Sequence, residues 1–78
     1  METEELNKQI EGLCISKAEE FYLMGYKNIT GESIWECVCE KYKGELPMLH
    51  IIVNDILSLK VTTYMNWMTM RAYKGLEI

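Results

Sequence analysis

The chain has 78 residues, 49% of them hydrophobic and 26% charged, enough for one small core and too few for two domains. With one proline and five glycines it is too apolar to be disordered, and no run approaches the ~18 apolar residues of a bilayer span, which excludes membrane insertion. The net charge of −4 divides into −5 over residues 1–39 and +1 over residues 40–78, so sequence-independent binding to phosphate backbones is disfavoured everywhere except in the second half.

Leu6, Ile10, Leu13, Cys14, Phe21 and Met24 recur at spacings of three, four and seven, which predicts an amphipathic helix over residues 4–24. Thr3 is placed to cap it, Glu4 and Glu5 suit its positive end, and Gly25 suits the left-handed residue that stops it. Lys17 falls inside the apolar arc, so its stem is expected at the core edge with the ammonium in water. The acidic opening of the chain lacks the basic-then-apolar order of a secretory signal, which predicts a cytoplasmic protein.

Thr30 reads as the N-cap of a second helix with Glu32 in its first turn, a better account of Asn28-Ile29-Thr30 than a glycosylation site. Ile34, Trp35, Val38, Cys39 and Tyr42 fall within about 140° of arc at 100° per residue, with Glu32, Ser33, Glu36, Glu40 and Lys41 opposite. Gly44 suits the end of this helix and Pro47 the first turn of the next.

Leu49, Ile52, Val53, Ile56 and Leu57 make the strongest apolar face of the chain and predict a central third helix that ends near Ser58 to Lys60, since a continuation would put Lys60 in the apolar arc. A strand over residues 57–61 alternates correctly but has no partner strand. Thr62 or Thr63 then caps a fourth helix over residues 64–74, ended by Gly75. Tyr64, Met65, Met68 and Ala72 share one arc of it and are expected on the core; Trp67, Met70, Arg71 and Lys74 share another. The fold class is all-α, a single-domain bundle of about four helices over residues 1–78.

The residues that carry chemistry are few. Cys14, Cys37 and Cys39 are an odd set without a secretory signal and are expected to be reduced. Together with the lone His50 they lack the Cys-x2-Cys knuckle of a zinc site, and on a helix Cys37 and Cys39 diverge by about 200°. One His, one Asp and no phosphate loop leave no catalytic constellation; His50 and Asp55 diverge by about 140° on a helix. Glu19 and Glu20 read as a solvated face. No enzyme activity, metal or cofactor is predicted.

The stripe Trp67, Met70, Arg71, Lys74 is more informative. An apolar and aromatic patch flanked by cations can receive a partner helix, an acidic segment, or stacked unpaired bases. The plainer reading is that Trp67 packs on the first or second helix and Arg71 covers it. Met48, Met65, Met68 and Met70 divide in the same way between gap-filling core residues and an adaptable binding surface, and Ile51 lies on the polar side of the third helix.

Glu20-Phe21-Tyr22-Leu23-Met24-Gly25-Tyr26 with Ile29-Thr30, then Ile34-Trp35-Glu36, and above all the run from Leu49 to Val61 with Tyr64-Met65-Asn66, resemble the ComN-like post-transcriptional regulators of Gram-positive bacteria. The similarity runs from Leu6 to Lys74 and is carried by the His50-x3-Asn54-Asp55-Ile56 and Tyr64-Met65-Asn66 pattern; Cys37 and Cys39 lie outside it. It implies a non-enzymatic cytoplasmic regulator of genetic competence acting on a competence-operon mRNA, with the polar division protein DivIVA as a partner and cell poles or division sites as its location. The roles of the pattern's polar residues His50, Asn54, Asp55 and Asn66 stay open between caps, interhelical bonds and partner contacts.

An acidic chain without an RNA-recognition module fits a protein-interaction adaptor that affects mRNA indirectly. The alternative is direct binding of single-stranded RNA through Trp67, Arg71 and Lys74; a small enzyme or metal protein is scarcely supported. A small core and a last helix with two apolar faces are also compatible with a homodimer.

Overall fold

The computed structural model describes the backbone of residues 2–76 and the side chains of residues 5–75. Within them the chain forms helices α1 (Glu2–Leu23), α2 (Gly31–Cys39), α3 (Leu49–Leu57) and α4 (Val61–Leu76), with a single 3-10 turn over Glu40–Tyr42, and no strand. The all-α expectation holds. The strand weighed for residues 57–61 is instead the end of α3, a short turn and the start of α4.

Two of the boundaries are set as the local chemistry predicts. Gly25, at φ 103°, lets the chain leave α1: its N–H donates to the Tyr22 carbonyl at 3.0 Å while that of Tyr26 reaches the Phe21 carbonyl at 3.0 Å. At the start of α2 the Thr30 hydroxyl accepts from the Ser33 N–H, and Ser33 Oγ accepts from the Thr30 N–H, both at 3.1 Å. Others differ. Thr3 lies inside α1 rather than capping it. Pro47 sits two residues ahead of Leu49, the first residue of α3, with Met48 as the cap position. Before it, Lys43 at φ 51° and Gly44 at φ 89° turn the chain out of the 3-10 segment.

The core is built from Cys14, Ala18 and Phe21 of α1, Ile34, Cys37 and Val38 of α2, Ile52 and Ile56 of α3, and Val61 and Tyr64 of α4. The short α2, not α3, is the central element: it packs on α1, α3 and α4. Its buried side is rotated from the expected arc, because wedging it among three helices puts the i, i+3, i+4 set Ile34, Cys37, Val38 inside and leaves Trp35, Cys39 and Tyr42 half-buried. Leu6, Met24 and Leu57, expected in apolar faces, are exposed, Met24 and Leu57 along an open groove between α1 and the turn from α3 to α4.

Helix α4 starts at Val61, earlier than the threonines suggested. The Tyr64 N–H bonds to the Lys60 carbonyl at 3.0 Å, and this start puts Val61 and Tyr64 three residues apart on one face, both buried. Thr62 and Thr63 are exposed within the first turn, and Gly75 lies inside the helix.

Lys17 corrects a further expectation. Its side chain is only 6% exposed, and its ammonium does not reach water freely: it donates to the Leu57 carbonyl at 2.9 Å and to the Glu20 carboxylate at 3.3 Å. Leu57 ends α3, so the cation meets the negative end of that helix and ties α1 to it.

Candidate functional site

Four of the residues singled out in the sequence meet at one place. Trp67, Met70, Arg71 and Lys74 line a shallow groove of 460 Å³ between α4 and α2, whose other wall is Glu36, Cys39 and Glu40. The helical repeat aligns the first set on one side of α4, and the second comes from the last turn of α2, with Glu36 and Cys39, and from Glu40 at the start of the 3-10 turn that follows it.

Trp67 forms the floor. It is half-buried, its ring centroid 5.7 Å from that of Tyr64, which in turn lies 5.9 Å from Phe21 and donates from its hydroxyl to Ser33 Oγ at 2.9 Å. The aromatic series thus runs from the α1 core to the groove. Arg71 covers the outer side of the indole, its guanidinium 5.1 Å from the ring centroid, and is ion-paired with the Glu36 carboxylate, which raises the Arg71 pKa further. Arg71 covers Trp67, whose aromatic neighbour is Tyr64 of the same helix, while Met70 is 56% exposed at the rim. Two carboxylates and two cations line the groove, so its charge is balanced.

The four polar residues of the His50 to Asn66 pattern do not form a second site. His50 and Asn54 are exposed on the outer face of α3, and Asn66 is exposed on α4. Asp55 turns the other way: it accepts from the Tyr42 hydroxyl at 2.6 Å and pairs with Lys41 at 3.1 Å, tying α3 to the turn after α2. The Tyr42 bond holds the Asp55 carboxyl below its ordinary range, with Lys41 acting in the same direction. Burial and the same bond push the Tyr42 phenol up. Asp55 therefore has a structural role.

Cys14 and Cys37 are buried and Cys39 is half-buried at the groove. Burial raises all three thiols, Cys14 to about 11, which keeps them protonated and poorly nucleophilic at neutral pH. Among the described residues no three His, Cys, Asp or Glu side chains come close enough to hold a metal ion. No described helix is long and apolar enough to cross a membrane.

Two features went unread in the sequence. The Tyr42 to Asp55 bond joins residues on separate elements and has no local signal. A larger groove of 610 Å³ lies between α1 and α2, with Ile10, Ile15 and Trp35 among its apolar lining and Glu11 and Glu32 among its acids. Its signal was Ile15, an apolar residue outside the apolar arc of the first helix, which periodicity alone does not interpret.

A family model described as "Post-transcriptional regulator" matches residues 3–77, nearly the whole chain. Among curated proteins, the chain is 37% identical over 62 residues to Post-transcriptional regulator ComN of Bacillus subtilis (strain 168); the match covers 76% of this chain and 62% of that protein. The chain thus spans less than two thirds of the length of the curated relative it matches. No solved structure matches it.

Proposed function

The chain belongs to the post-transcriptional regulator family, and from that premise we propose that it acts as a non-enzymatic adaptor, docking a protein partner in the groove between α2 and α4 and affecting a competence-operon mRNA through that partner. The observation that carries this reading is the pairing of Arg71 with Glu36 over Trp67. Phosphate contacts require cations whose charge is available, and single-stranded bases require an open aromatic face. Here the guanidinium is already neutralised and lies on the indole. With Glu36 and Glu40 opposite Arg71 and Lys74, a balanced groove with an exposed methionine rim suits a protein surface bearing apolar side chains and charges of both signs. The resemblance supplies DivIVA as the partner to try first, and with it a location at cell poles or division sites.

The test compares retention of DivIVA, and of other proteins from a native extract, by the wild-type chain and by Met70→Glu, which places a third carboxylate on the exposed rim without touching the core. The reading expects a specific protein on the wild type and at least about a tenfold loss on the variant. Equal retention by both, or no specific protein on either, refutes it.

A further inference from the structure

Helix α2 borders two grooves, and the one it forms with α1 takes no part in the adaptor role proposed above. Its floor is apolar: Cys14 is buried beneath it, Ile10 and Trp35 are half-buried, and Ile15 is 45% exposed. The α1 wall runs from Asn7 to Ile15 and so spans about 12 Å at 1.5 Å per residue, just over two helical turns. Gly31 brings the start of α2 against α1 at the Ile15 end, where an added Cβ would lie 3.0 Å from Ile15 Cγ1.

We propose that this groove docks an amphipathic helix of a protein partner, one that carries lysines or arginines beside its apolar stripe. Charge selects the occupant. Glu11 stands on the α1 wall and Glu32 on the α2 wall, and no Lys or Arg lines the groove. α2 has no cation at all, and Glu36 follows Trp35. Lys8, the one cation of α1 ahead of Lys17, stands three residues from both Glu5 and Glu11, so the surface around the groove keeps a net negative charge. Acids on both walls attract a cationic segment and repel an acidic one or a phosphate backbone.

The geometry selects a helix. The walls are side chains of two helices, and among the described residues there is no strand edge with which an extended peptide could pair. A bound segment must therefore satisfy its own backbone hydrogen bonds, as a helix does, and lay its apolar side chains on Ile10, Ile15 and Trp35. A second copy of this chain does not meet the description. Lys17, Lys41 and Arg71 are ion-paired within it, and no helix carries more than one further cation. With α2 shared between an acidic groove and a charge-balanced one, the chain can hold two different protein surfaces.

Trp35 reports on the groove once Trp67→Phe makes it the only tryptophan. In that background the probe is a synthetic peptide of about four helical turns with leucines at i, i+3, i+4 and i+7 and lysines beside them; the control peptide has glutamates in place of the lysines. The lysine peptide should give a saturable change in Trp35 fluorescence and the glutamate peptide none. Glu11→Lys with Glu32→Lys should weaken binding at least about tenfold. Glu19→Lys with Glu45→Lys makes the same change in net charge on exposed residues outside the groove and should weaken it less than about twofold. Both double variants should keep the helical circular dichroism spectrum. No saturable response to the lysine peptide up to ~1 mM, an equal response to the glutamate peptide, or an equal loss from the two double changes would each overturn the proposal. A wild-type dimer in sedimentation equilibrium that Glu11→Lys with Glu32→Lys dissociates would give the groove to a second copy and overturn it too.

Discussion

The two ends of α4 contrast sharply. Its first turn delivers Val61 and Tyr64 to the core, where Tyr64 is 2% exposed, packs beside Phe21 and bonds to Ser33. From Met68 to Gly75 every side chain is exposed, although Met68, Met70 and Tyr73 are as apolar as anything at the other end. The same periodic pattern is thus used twice, once to close a core and once to leave surface available. A helical repeat states which residues share a face, but whether that face is covered depends on where the neighbouring helices stop. α2 is nine residues long and faces the distal half of α4 only across the open groove, where Arg71 pairs with Glu36, so the side chains there stay exposed.

The largest effect that sharpens this contrast is at the proximal end. Phe21→Ala or Tyr64→Ala should cost about 3–5 kcal/mol in urea unfolding, close to the whole stability of so small a domain. Lys17→Met should cost about 1–2 kcal/mol, since it leaves the Leu57 carbonyl without its donor while relieving the burial of an ammonium. A neutral result would mean that the two effects cancel and that the Lys17 bond to α3 holds orientation rather than stability.

Tyr42→Phe should cost about 1 kcal/mol at neutral pH through loss of the bond to Asp55. Its pH dependence has a definite sign. The folded Asp55 pKa lies below its unfolded value, so the stability it contributes is fully present above about pH 4 and is lost as pH falls through the folded value. Urea unfolding of wild type and Tyr42→Phe should therefore differ by a constant amount near neutrality and converge in acid. A difference that persists unchanged at low pH would show that the bond does not depend on the ionised carboxylate.

The smallest effect belongs to the distal end. Tyr73→Ala should change stability by no more than about 0.5 kcal/mol, because Tyr73 is 66% exposed and sits beyond the core. A cost comparable to that of Tyr64→Ala would erase the distinction between the two ends.

Much of this was legible in the sequence, and for identifiable reasons. Thr30 and Gly25 act on backbone groups within a few residues, so their roles as helix start and stop could be read locally. The alignment of Trp67, Met70, Arg71 and Lys74 follows from the geometry of one helix. What could not be read depended on a second element: the Glu36 carboxylate that occupies Arg71, the Leu57 carbonyl that draws in Lys17, and the rotation of α2 that buries Cys37 in preference to Cys39. The expectation that Met65, Met68 and Ala72 would be core failed for the same reason, because sharing an arc with Tyr64 does not supply a neighbour to cover it.

The central claim is that the charge-balanced groove of α4 serves proteins and not nucleic acid. It is tested most directly by titrating the wild-type chain with single-stranded RNA at low salt while following tryptophan fluorescence. The account predicts no saturable change. Saturable binding that falls steeply with added salt and is lost on Arg71→Ala with Lys74→Ala would contradict it, and would mean that RNA displaces Glu36 from Arg71 to reach the indole beneath.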